Sequence, residues 1–104
     1  MNRFTKDVLI QAEDIERATA FYVEKLGFEI TDQKENFISL LGENVNLFID
    51  RGRSLGPVME IKVDSLSASK DQLIDAGCTV VLWEEKGPRH YLKDPNGLIF
   101  NLIE

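Results

Sequence analysis

The sequence predicts an α+β fold built from two tandem β-α-β-β-β modules, one over about 4–50 and one over about 57–104. Three observations carry this. First, the chain repeats itself: Asp14-Ile15 and then Leu26-Gly27-Phe28-Glu29-Ile30 are echoed about fifty residues later by Ser65-Leu66 and Ala76-Gly77-Cys78-Thr79-Val80. Second, an apolar stretch precedes each copy and an apolar strand ending in an acid closes it, Leu47-Phe48-Ile49-Asp50 and Leu102-Ile103-Glu104. Third, each copy carries a helix cap and a glycine stop at matching places. Two copies are too few for a solenoid, which needs at least three. They suit one small domain of two pseudo-symmetric halves.

The elements follow in order. Residues 4–12 alternate as a strand, with Val8, Ile10 and Ala12 on one face and Asp7, Leu9 and Gln11 on the other. Asp14 is a good N-cap, because its carboxylate can accept from the first free amides of a helix. Ile15, Ala18, Phe21, Tyr22 and Leu26 recur at helical spacing, so residues 15–25 form an amphipathic helix that Gly27 stops. Strands are expected at about 28–33, 36–41 and 45–50, and Arg51 to Gly56 link the halves. The second half repeats the order: a strand at 58–63, a helix over 66–76 capped by Ser65, and strands at about 78–85, 89–93 and 98–103. In Asp94-Pro95-Asn96-Gly97, Pro95 presets φ at the first corner and Gly97 takes a conformation other residues resist.

At 104 residues the chain is long enough to bury a core as one domain. A formal charge of −6 argues against nucleic acid or an anionic membrane as partner. No apolar run approaches the roughly 20 residues that span a bilayer. Met1-Asn2-Arg3 does not open a signal peptide. Cys78 is the only cysteine, which excludes an intrachain disulfide and a cysteine metal cluster, and its apolar setting predicts an inert buried thiol. These features predict a cytoplasmic protein. Unpaired sheet edges on so small a chain predict a homodimer.

Asp-Ile-Glu-x-Ala-x-x-Phe-Tyr-x-x-x-Leu-Gly-Phe at residues 14–28 and the Asp94-Pro95-Asn96-Gly97 turn stand together in this chain. With the doubled β-α-β-β-β order they strongly resemble the vicinal oxygen chelate superfamily of glyoxalase I, extradiol dioxygenases, fosfomycin-modifying enzymes and bleomycin resistance proteins. The resemblance runs from about Lys6 to Glu104 and implies a curved mixed sheet whose halves make a cup. Metal-dependent members place one ligand on the first and one on the last strand of each half. Carried over, those positions are Asp7, Leu47 (Asn46 if the strand slips by one), Val58 (Pro57 on the same slip) and Asn101. Hydrocarbon cannot ligate and an amide is a poor substitute for a carboxylate, so the resemblance implies no metal and no cofactor here. His90 stands just before the last turn, which is not a ligand position.

Without a metal, the concave face reads as a small-molecule pocket. Asp7, Leu9 and Gln11 point inward on the first strand. Val58, Glu60 and Lys62 share a face on the fifth, and Ile99, Asn101 and Ile103 share one on the last. Asp7, Gln11, Glu60 and Asn101 are then oriented polar groups in an apolar lining, and Trp83 supplies a flat stacking surface. The leading reading is a metal-free binder of a small molecule, with antibiotic sequestration or resistance as its role. The alternatives are a small lyase- or isomerase-like enzyme using Asp7 or Glu60 as general base, and a ligand-sensing regulatory module.

Overall fold

Each predicted element forms. The computed structural model describes residues 2–104. It contains β1 (Arg3–Ala12), α1 (Ile15–Leu26), β2 (Glu29–Gln33), β3 (Phe37–Leu41), β4 (Asn46–Arg51), β5 (Val58–Lys62), α2 (Leu66–Asp75), β6 (Thr79–Trp83), β7 (His90–Lys93) and β8 (Ile99–Ile103). The architecture is α+β, eight strands of mixed direction and two helices. The chain divides into a first unit, Lys6–Pro57, and a second made of residues 2–5 with Val58–Glu104. Among the described residues no helix is long and apolar enough to cross a membrane.

In the first unit the strand order is β2-β3-β4-β1, and in the second β5-β8-β7-β6. The first and last strands of each unit run parallel, β1 with β4 and β5 with β8. A parallel pair requires a crossover between its strands, and α1 and α2 begin those crossovers.

The caps are made as the sequence indicates. Asp14 accepts from the Arg17 amide at 3.1 Å, and Gly27 closes α1 in the left-handed region with φ 79°. Ser65 accepts from the Ala68 amide at 3.3 Å, but α2 reaches its C-cap at Ala76, with φ −85°, one residue before Gly77 at φ 107°. Asp94 Oδ1 accepts from Asn96 and Leu98 amides at 2.8 and 2.9 Å, so one carboxylate fastens the whole turn into β8.

One helix covers one face of each four-stranded array. Ile15 of α1 packs with Ile38, Leu40, Leu47 and Ile49, joined by Val8, Ile10, Ala18, Tyr22 and Phe28. In the second unit Ile61, Val63, Cys78, Leu92, Phe100 and Leu102 form the core, with Leu66, Leu73 and Trp83 against it. Burial pushes the Cys78 thiol up, and the Asp94 carboxylate adds to the shift, so at neutral pH it is a protonated, weakly nucleophilic group.

Both units carry a register shift four residues past their glycine stop, between Ile30 and Asp32 and between Val80 and Leu82. Such a bulge gives one strand an extra residue and re-aims the side chains beyond it.

Arg51, expected to open the link between the halves, is the last residue of β4 and ties the first unit together. It donates through Nε to Asn36 Oδ1 (3.0 Å), through Nη1 to the Glu13 carbonyl (3.2 Å), and through Nη2 to the Glu35 carbonyl (3.0 Å) and Glu16 Oε1 (2.8 Å). Its hydrogen bond holds the Glu16 carboxyl below the usual range. A depressed carboxyl contributes stability above its unfolded pKa and loses it as pH falls. We expect Arg51→Ala to cost about 1–3 kcal/mol, chiefly from its bonds to backbone carbonyls. In urea denaturation the gap from the parent protein should narrow as the medium is acidified through the Glu16 titration; a gap that is flat with pH would remove the Glu16 contribution.

Candidate functional site

Strand alternation leaves one face of the first unit without a helix. Since Val8, Ile10, Ile38, Leu40, Leu47 and Ile49 pack in the α1 core, their neighbours in sequence lie on the other side. The registers β3·β4 and β4·β1 arrange these as three rows: Leu41–Asn46–Asp7, Ser39–Phe48–Leu9 and Phe37–Asp50–Gln11. Phe37 and Phe48 are stacked, with centroids 5.9 Å apart and planes 24° from parallel. Asn46 Nδ2 donates to Asp7 Oδ1 at 3.0 Å. Gln11 Oε1 accepts from the Leu55 amide at 2.9 Å, which fixes the rotamer of the side chain. Its Nε2 is buried and has no hydrogen-bond partner among the described residues. A buried donor without an acceptor costs about 1–3 kcal/mol.

In the second unit, Glu60 and Asn101 are direct register partners, and Tyr91 stands on the other side of Asn101. Glu60 accepts from Thr5 Oγ1 at 3.2 Å. Asn101 is 4% exposed and accepts the His90 amide proton at 2.8 Å. Its amide oxygen thus helps to hold β7 to β8.

Trp83 does not join them. It pairs with His90, which shares a face with Leu92, so the indole packs against the α2 side of the second core. Unbroken alternation from Val80 would place Trp83 beside Tyr91 and Asn101, and the bulge turns it over. The His90 ring stands 4.7 Å from the indole, and Lys70 Nζ lies 4.4 Å from its centroid. Both ring nitrogens of His90 meet carbonyl oxygens, Nδ1 to Leu102 at 3.2 Å and Nε2 to Glu84 at 3.1 Å.

The five residues singled out from sequence therefore divide three ways. Asp7 and Gln11 share the helix-free face of the first unit, Glu60 and Asn101 are adjacent in the second, and Trp83 lies on the α2 side. Sequence reasoning did not assign Phe37, Phe48 or Asp50 to the site, and it named Asn46 only as a slipped metal-ligand position. The signal for three of them is the alternation Asn46-x-Phe48-x-Asp50 against Leu47 and Ile49, which becomes decisive once β1 is known to pair in register with β4.

In sequence, the family described as Bleomycin resistance protein-like N-terminal matches residues 3–42. No curated protein matches the chain in sequence. In structure, the chain is similar to a glyoxalase/bleomycin resistance protein/dioxygenase superfamily member from Vibrio splendidus 12B01, with a TM-score of 0.68 and 16% identity over 98% of this chain and 97% of that one. The fold is that of the glyoxalase/bleomycin resistance/dioxygenase superfamily. The Mn(II)-bound glyoxalase from Novosphingobium aromaticivorans shares it at a TM-score of 0.63 and 21% identity, over 98% of this chain and 39% of that one. Homoprotocatechuate 2,3-dioxygenase from Brevibacterium fuscum gives 0.67 and 19%, over 97% and 35%.

The ligand positions that the superfamily pattern implies can now be tested against the chemistry present. Leu47 is in the α1 core, so Asn46 rather than Leu47 faces Asp7. Val58 is fully buried hydrocarbon. The Asn101 amide oxygen already accepts from His90, and Asp7 Oδ1 from Asn46. Among the described residues, no three His, Cys, Asp or Glu are grouped to hold an ion. This donor set does not fit a divalent metal. We expect Asn101→Leu to destabilise the protein by about 1–3 kcal/mol, since it strands the buried His90 amide. Chemical denaturation measures this directly, and an unchanged midpoint would show that the amide finds another acceptor.

Proposed function

We propose that this chain is a metal-free small-molecule-binding protein of the glyoxalase/bleomycin resistance type. The observation that carries the reading is the helix-free face of the first unit, where two stacked phenyl rings stand one strand from a buried, unpartnered amide donor. Binding sites combine apolar and aromatic lining with a few oriented polar groups. Here Phe37 and Phe48 offer area to a flat molecule, and Gln11 Nε2 offers a hydrogen bond to a carbonyl or other neutral acceptor on it. Leu9 extends the apolar row, and Asp7 and Asp50 place acidic groups on either side of it. Sequestration of a drug-like molecule is the role this chemistry supports, in keeping with the bleomycin-resistance-like match over residues 3–42.

The inherited positions give no reason to add a metal, because Val58 is hydrocarbon and Asn46 and Asn101 offer neutral amides. Nor does the face favour a general base: Asp7 already accepts from Asn46.

A homodimer is part of the proposal. The edge strand β6 leaves Val80, Val81 and Leu82 46, 37 and 37% exposed, and the edge strand β2 leaves Ile30 44% exposed. Apolar edges of this kind invite pairing. Sedimentation equilibrium at micromolar concentration should return about twice 11.8 kDa. A single species at the protomer mass would refute the dimer.

The binding proposal is tested by a thermal-shift screen of planar carbonyl compounds, followed by titration of any hit into variants. Gln11→Met keeps length and removes the donor. It should weaken the hit about tenfold, near 1.4 kcal/mol, and Phe48→Ala should weaken it further. Affinity indifferent to both changes would move the site off this face. A stoichiometric divalent metal retained by the purified protein would end the metal-free reading.

A further inference from the structure

The α2 side of the second unit holds a cavity that the reading above does not use. Its volume is about 340 Å³, and it is lined by Trp83, His90, Lys70, Asp71, Glu85 and Ser67 among others. From this geometry we propose that the cavity is a site for small organic cations, in which Lys70 acts as a tethered occupant.

Two features point to a cation. The Lys70 ammonium already lies 4.4 Å from the indole centroid, so the ring is presented to positive charge. Asp71 and Glu85 line the same space, and neither forms an ion pair among the described residues. The His90 ring nitrogens face the carbonyls of Leu102 and Glu84, and because a carbonyl only accepts, one of these contacts is a hydrogen bond in the neutral ring.

An anion is disfavoured by the same residues. It would face two carboxylates. The first turn of α2 does not offset this, because the Leu66 amide donates to Glu104 Oε2 at 2.9 Å and the Ala68 amide to Ser65 Oγ at 3.3 Å. The ligand class that fits is a compact ammonium, primary or quaternary, bearing no acidic group.

Lys70 gives the site a distinctive signature. A tethered ammonium competes with a free one, so the parent protein binds more weakly than the bare site would. A partly exposed cation–π contact shifts such an equilibrium about two- to fivefold. Removing a lining residue should therefore strengthen binding, the reverse of what a wall residue would do. The cavity lies wholly in the second unit, so this inference stands or falls independently of the first unit's Phe37–Phe48 face.

The probe is tetramethylammonium chloride at constant ionic strength, read by the emission of Trp83, the only tryptophan. A five-heavy-atom cation should half-saturate the parent protein at on the order of millimolar concentration. Lys70→Gln should tighten it about two- to fivefold, and Lys70→Met, made in parallel in case the first does not fold, should do the same. Asp71→Asn combined with Glu85→Gln should weaken it at least about threefold. The neutral tert-butanol, of equal size, should give no saturable change. If neither folded Lys70 variant binds tighter, if the carboxylate variant binds unchanged, or if tert-butanol titrates like the cation, the proposal is overturned.

Discussion

The constraint on which the structure depends is that a four-stranded sheet has two faces and each unit has one helix to cover them. α1 and α2 each take the apolar residues of one face into a core, and period-2 alternation then dictates what the other face carries. In the first unit that remainder is amphipathic: phenylalanines and a leucine in the middle, carboxylates and amides around them. A face of this composition is only half suited to water, and that imbalance is why it is the natural place to look for a ligand.

Parallel pairing turns the constraint into geometry. Because β1 lies beside β4 in register, Asp7 meets Asn46, Leu9 meets Phe48 and Gln11 meets Asp50. β5 beside β8 brings Glu60 to Asn101 in the same way. The two units share this plan but fill it differently. Among the described residues the first keeps a buried amide donor without a partner, whereas in the second the buried Asn101 oxygen accepts from the His90 amide. One plan thus carries a candidate binding face in one unit and a structural hydrogen bond in the other.

The same logic separates fold from chemistry. The superfamily contains an enzyme described as Mn(II)-bound, and this chain is similar to it in fold. Leu47 and Val58 do what the sheet requires, which is to fill a core, and Asn101 does what a buried amide requires, which is to find a partner. Of the three, the Asn101 amide oxygen alone carries lone pairs, and one of them accepts the His90 amide proton. The fold therefore does not by itself set the chemistry of these positions.

By itself, the sequence determined the local elements. Asp14, Ser65, Gly27 and the Asp94–Gly97 turn act through short-range hydrogen bonds and allowed φ values, which are written in a few adjacent residues. It also determined the faces of β1, β5 and β8, because Val8 and Ile10, Met59 and Ile61, and Phe100 and Leu102 alternate without interruption. Only the tertiary structure decided the rest. The rows across β1, β3 and β4 depend on inter-strand register, which no single strand encodes. The role of Arg51 depends on three segments far apart in the chain meeting at one guanidinium. Trp83 shows the reason most plainly: one extra residue between Val80 and Leu82 reverses the alternation, so the indole lies under α2 beside Lys70 rather than next to Asn101. A bulge is a property of how two strands pair, and it becomes legible only when both are in place.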